Sequence, residues 1–106
     1  GMRVKTRYFA FIREKIGRDS EIFDLDEGST VHDFIGYIQA RYREKLGDVF
    51  EADGLRAGFA IALNGENLDR SLWRQTRLKD GDVVVILPPI AGGVHSKLGS
   101  LTPLCP

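Results

Sequence analysis

The sequence predicts an α+β domain of two layers, a mixed sheet of about four to five strands with one long helix packed across one face. Three observations carry this. A strong helical period runs through Val31, Phe34, Ile35, Ile38, Tyr42 and Leu46. Short alternating segments lie on both sides of it. Near the end stands a β-branched run, Val83 to Leu87, that lacks alternation and so reads as a central strand buried on both faces. With 106 residues the chain can build one compact domain but not two.

Each element follows from local chemistry. Val4, Thr6 and Tyr8 alternate with Lys5, Arg7 and Phe9, which predicts a first strand. Ala10 to Ile16 predicts a short helical turn, with Gly17 suited to the left-handed position after it. Glu21 to Asp26 predicts a second strand with Phe23 and Leu25 on one face, and Asp26-Glu27-Gly28-Ser29 a turn. Thr30 and Asp33 form a capping box at the start of the long helix, and Gly47 ends its pattern. Asp48 to Gly58 mixes charge with glycine and reads as loop. Phe59, Ile61 and Leu63 predict a third strand, Asn64-Gly65 a tight hairpin, and Glu66 to Leu68 a short return strand. Ser71 to Arg77 is irregular, with one helical turn around Trp73, a core or rim residue. Lys79-Asp80-Gly81-Asp82 is a turn before the last strand.

Composition narrows the function. Lys+Arg and Asp+Glu both number 15, so the formal net charge is zero, against the basic excess that nucleic-acid binding needs. Arg41, Arg43 and Lys45 read as a solvated helix face. A single cysteine, Cys105, excludes an intrachain disulfide and fits a reducing compartment. No apolar run approaches the ~20 residues of a membrane span, and Met2-Arg3-Val4-Lys5 is no signal peptide. Gly1 reads as an expression scar. The expectation is a cytoplasmic protein that binds neither nucleic acid nor membrane.

Catalytic constellations are missing. His32, an exposed residue of the first helical turn, His95 and Cys105 give no zinc-ligand spacing, so no metal site is expected. There is no glycine-rich nucleotide cradle. Asp24, Asp26 and Glu27 read as solvated carboxylates at a strand end, and Cys105 has no activating base beside it. No catalytic residue and no bound cofactor are expected in the chain.

What remains is Pro88-Pro89-Ile90-Ala91-Gly92-Gly93, directly after the last strand. Two prolines fix φ and start an extended segment. Paired glycines have no Cβ and can enter a channel too narrow for other residues. Such an end is suited to be a reactant: a free carboxylate at Gly93 could be adenylated by a partner using ATP and then accept sulfur or an amine. A strand end followed by a plain turn is the blander reading of the same residues.

The chain resembles the small subunits of molybdopterin synthase, among the ubiquitin-like β-grasp sulfur carriers. The resemblance covers residues 2–93 and rests on Val4-Lys5-Thr6-Arg7-Tyr8-Phe9-Ala10, Arg13-Glu14-Lys15-Ile16-Gly17, Gly28-Ser29-Thr30-Val31, Ala62-Leu63-Asn64-Gly65-Glu66, Leu78-Lys79-Asp80-Gly81-Asp82-Val83 and the terminal hexapeptide. It implies a β-grasp fold. It also implies that an E1-like enzyme adenylates Gly93 and converts it to a thiocarboxylate, and that the large synthase subunit takes in the tail, where the sulfur passes to a pterin precursor. By the same resemblance Gly92 gives clearance, Pro88, Pro89, Ile90 and Ala91 are gripped by partners, and exposed apolar residues of the sheet dock them. Thiamine-pathway carriers and archaeal ubiquitin-like modifiers look similar. The Arg13 to Gly17 segment and the proline pair favour the molybdopterin type.

One departure stands out. The family normally ends at the second glycine, whereas here residues 94–106 follow. A peptide bond at Gly93 cannot be adenylated. Either the extension is a propeptide removed by a processing protease, the first expectation, or it is non-native sequence, or it is permanent and the chain is a β-grasp interaction module without a reactive end. Leu98, Leu101 and Leu104, three apart, suggest that the extension packs against something.

Overall fold

The computed structural model describes residues 1–52 and 54–90. Among the described residues, seven strands and two α-helices follow one another as β1 (Met2–Arg7), α1 (Ala10–Ile16), β2 (Ser20–Leu25), α2 (Val31–Arg41), β3 (Phe50–Glu51), β4 (Gly54–Leu55), β5 (Ala60–Leu63), β6 (Glu66–Leu68) and β7 (Val83–Leu87), with a 3-10 turn at Arg70–Leu72. Five strands form a mixed sheet in the order β2-β1-β7-β5-β6. β7 pairs parallel with β1 and antiparallel with β5. This is the β-grasp arrangement, and its last strand is central as the sequence predicts.

α2 covers one face of the sheet. The capping box forms: the Asp33 N–H donates to Thr30 Oγ1 at 3.1 Å and the Thr30 N–H to Asp33 Oδ2 at 2.9 Å. Val31, Phe34, Ile35 and Ile38 turn inward onto Met2, Val4, Phe23, Ile61, Val84 and Ile86. Phe34 and Phe23 meet edge to face, their centroids 5.2 Å apart. α1 ends at Gly17, whose φ of 86° lets its N–H reach back to the Arg13 carbonyl. Asn64 and Gly65 both have positive φ, 52° and 85°, as a type I′ hairpin requires. The Asn64 side chain accepts from the Val83 N–H and donates to Asp82, tying the hairpin to β7.

Four expectations are corrected. α2 stops at Arg41. Successive turns carry residues 42–49, and the Leu46 N–H donates to the Tyr42 carbonyl at 2.8 Å, so Leu46 is still buried while Tyr42 is half-buried. Residues 48–58 are not plain loop: β3 and β4 pair as a short ribbon because Val49, Phe50 and Leu55 anchor it in the core. Arg41 is no merely solvated cation, since it bonds to buried Glu21 and lies over the Phe23 ring at 4.6 Å. β7 is fully buried on one face only; Val83, Val85 and Leu87 on the other are half-buried because nothing covers that side among the described residues. Trp73 is a core residue whose Nε1 donates to the Leu68 carbonyl.

Candidate functional site: the root of the tail and the open sheet face

Of the tail residues singled out by sequence, Pro88, Pro89 and Ile90 are described by the structure. Pro88 is half-buried, and Pro89 and Ile90 are exposed. Ala91, Gly92, Gly93 and the extension 94–106 lie outside the described residues. The geometry therefore concerns the root of the tail and what surrounds it.

The tail leaves from the middle of the sheet. Pairing of Arg7 with Val85 and of Ala60 with Leu87 places the end of β1 and the start of β5 on either side of its exit. The loop before β5 supports it. Gly58 has φ +97°, and a Cβ there would meet Pro89 Cγ at 3.3 Å, so its backbone sits against the second proline. Arg70 pins that loop. Its guanidinium donates to the carbonyls of Leu55, Arg56 and Phe59 at 3.0 to 3.2 Å and stacks 4.3 Å over the Trp73 ring.

On the other side of the exit lies the turn after β1. Phe9 is 43% exposed and stands at the N-cap of α1 without any side-chain cap bond. Ala10 has φ 51°, a left-handed conformation that costs a non-glycine residue about 1 kcal/mol or more. The bend turns Phe9 outward, while Phe11 packs edge to face on Phe59 with centroids 6.3 Å apart. Local preference is broken twice in two residues, and the outcome is an aromatic presented to solvent at the tail exit.

The sheet face opposite α2 continues this surface. Register sets Val85 between Arg7 and Ala62, Val83 beside Lys5, and Leu87 beside Ala60. Ile22, 58% exposed, extends the same face from β2. An apolar strip bordered by Lys5 and Arg7 thus runs along β7 into Pro88. Sequence reasoning expected docking residues on the sheet without naming them. Ile22 carries the readable signal, an apolar side chain in the outward phase of its strand. Phe9, Gly58 and Arg70 carry none, because their roles depend on contacts between distant segments.

The buried titratable cluster has another purpose. Glu21, 7% exposed, accepts from the Tyr8 hydroxyl at 2.7 Å, the Tyr42 hydroxyl at 2.5 Å and Arg41 at 2.6 Å. Burial pushes its carboxyl up, but hydrogen bonds from Tyr42, Tyr8 and Arg41 outweigh that and hold it below the ordinary value. Burial and the same carboxylate raise both tyrosine hydroxyls. Each Glu21 oxygen and both tyrosine hydroxyls are hydrogen-bonded, and the cluster joins β1, β2 and the end of α2 on the helix side of the sheet. It is a structural lock. His32 is half-buried, where the sequence suggested exposure, because its helical turn faces Trp73. Asp24, Asp26 and Glu27 are exposed as expected.

Comparison with known proteins agrees with this geometry. The sequence pattern of the ThiS family matches residues 6–93, stopping at the second glycine. A molybdopterin synthase sulfur carrier subunit from Chlamydomonas reinhardtii is 33% identical over 92 residues, 87% of this chain and 100% of the relative. Small archaeal modifier protein 3 from Haloferax volcanii is 32% identical over 92 residues, with the same coverage. Neither relative has a counterpart for the rest of this chain. Among solved structures, a chain in the complex of subunits 1 and 2 of the molybdopterin-converting factor from Helicobacter pylori 26695 superposes with a TM-score of 0.54 at 28% identity, over 87% of this chain and 100% of that one. A match over most of the chain, ending on the diglycine that follows a central β-grasp strand, makes this chain a member of the ThiS family.

Proposed function

We propose that the protein is a sulfur carrier for molybdopterin synthesis, with Gly93 as the sulfur-bearing end. The observation that carries the reading is the diglycine itself: the family pattern ends on Gly93, and the segment leading to it leaves a rigid central strand through two prolines. The molybdopterin assignment is supported by the relative named as a molybdopterin synthase sulfur carrier subunit and by the similar chain in a two-subunit converting factor.

The chemistry asks little of the carrier. After a protease cuts the bond between Gly93 and Val94, the Gly93 carboxylate attacks the α-phosphate of ATP on an E1-like enzyme, and pyrophosphate leaves. Hydrosulfide then attacks the acyl carbon and displaces AMP, giving the thiocarboxylate. Phe9, the apolar strip of β7 and the cations Lys5 and Arg7 form the surface on which the activating enzyme and the large synthase subunit dock. Pro88 to Ala91 is the stretch they grip, and Gly92 supplies clearance. ATP belongs to the partner. The expected site of action is the cytoplasm.

A second reading is favoured by the likeness to a small archaeal modifier protein: the same activated glycine joined to lysine amines of other proteins. Mass spectrometry of the protein from its native cells separates the two. A species ending at Gly93, or one with oxygen replaced by sulfur there, is the expected result. Gly-Gly remnants on lysines of other proteins would establish the modifier role. If only the full-length chain is found, both covalent roles fail and a plain interaction module remains.

A further inference from the structure

A cavity of about 340 Å³ lies on the helix side of the molecule, away from the open sheet face, between the first turns of α2, the β3–β4 ribbon and residues 70–74. The proposed carrier function leaves it unused. Its floor is apolar and buried, formed by Ile35, Leu55 and Trp73. Its rim brings the His32 imidazole together with the guanidinium groups of Arg70 and Arg74, against one described acid, Glu51. A smaller hollow of about 130 Å³, which shares His32, Ile35 and Gly54, prolongs it along α2 over Gly36. The main cavity has the size of the smaller ligand sites found in proteins.

The rim cations are not equivalent. Arg70 is committed to three backbone carbonyls and the Trp73 ring. Arg74 is exposed and makes no side-chain hydrogen bond or ion pair among the described residues. An apolar floor under an exposed cation and an imidazole suits one kind of guest, an apolar body with a single anionic group at its edge. A bare inorganic anion would leave the floor unfilled, and a neutral apolar molecule would leave the rim unanswered.

We propose that this cavity binds a small organic anion, a carboxylate or phosphate ester on an apolar ring, with Arg74 and His32 at the charged end and Trp73, Ile35 and Leu55 under the body. The site communicates with the root of the tail. Arg70 stacks on the same Trp73 and holds Leu55 to Phe59, and Gly58 of that loop bears on Pro89. A guest that packs on Trp73 displaces the Arg70 stacked on the same ring, and with it the loop and the seat of Pro89. None of this depends on the chemistry of residue 93.

The test is an NMR titration of the full chain, labelled with nitrogen-15, with phenyl phosphate, benzoate and inorganic phosphate as probes. The expected result is saturable shifts of the Trp73 indole and of His32 with either aromatic anion, the Gly58 amide moving in step. Binding should weaken at least tenfold in Arg74→Ala, with thermal unfolding little changed because the side chain is exposed. Shifts that do not saturate, equal affinity for inorganic phosphate, or an Arg74→Ala variant that binds as before would overturn the site. Saturation at Trp73 with Gly58 unmoved would overturn the link to the tail.

Discussion

Glu21 and Ile22 each stand where the other's chemistry would belong. The alternation of β2 sends Glu21 inward with Phe23 and Leu25 and turns Ile22 out to solvent. The inversion is legible in the sequence once Phe23 and Leu25 define the inner face. What cannot be read there is its resolution, because Tyr8, Arg41 and Tyr42 come from three other places in the chain. Replacing Glu21 by Gln puts an amide donor against two hydroxyls and a guanidinium; the loss should be about 2 kcal/mol, read by urea unfolding. A folded-state pKa below the ordinary value of 4.5 means that the carboxylate stabilises the fold above that pH. The contribution disappears as pH falls through the depressed value, and Glu21→Gln should flatten that acid limb. The tyrosines work in the opposite sense. Raised above 10.0, they contribute fully below that pH, and the contribution is lost as pH rises from there through the higher folded-state values. Thr6 offers a contrast: its buried hydroxyl has no partner among the described residues, so Thr6→Val should raise stability by about 1 kcal/mol in the same assay.

At the scale of elements, whatever depends on neighbours in sequence is the part that reasoning from sequence recovers. The Thr30–Asp33 box, the Gly17 cap, the Asn64-Gly65 hairpin and the strand of β-branched residues are local statements, and each forms. The β3–β4 ribbon escapes because two-residue strands have no period; Val49, Phe50 and Leu55 are held by the core and not by a pattern of their own. The end of α2 is missed for a related reason. Tyr42 and Leu46 keep the helical spacing, yet Tyr42 is recruited by Glu21 and the backbone leaves the helix there. Gly58 looks like any loop glycine until Pro89 is placed against it. Gly58→Ala should cost about 1–2 kcal/mol through its φ of +97° and the 3.3 Å approach, and should shift Pro89 resonances in NMR spectra. Unchanged Pro89 signals would remove the loop as a support of the tail.

The whole molecule divides its work between two sides. The helix side holds the core, the Glu21 lock and the cavity, and the open side presents an apolar strip that leads to the tail. On the proposed reading, the protein supplies a shape to be held and an end to be reacted, and its partners supply the catalytic groups. Phe9→Ser tests the division. Because Phe9 is 43% exposed, thermal unfolding should change little, while association with the activating enzyme or the large subunit, measured by calorimetry on a chain ending at Gly93, should weaken at least tenfold. Equal affinity would take the aromatic out of the docking surface. The tail was legible as a motif, but the surface beside it was not, since it is assembled from β1, β2, β5 and β7.

The central position of β7 also has a mechanical meaning. A pull on the chain at Ile90 is transmitted to a strand bonded along both edges, to β1 on one side and β5 on the other. The load runs along the strand, so the ladder bonds resist it together in shear and cannot be peeled one after another. An edge strand would unzip under the same force. A domain built this way can have its end pulled by a partner, as the proposed transfer requires, and remain folded.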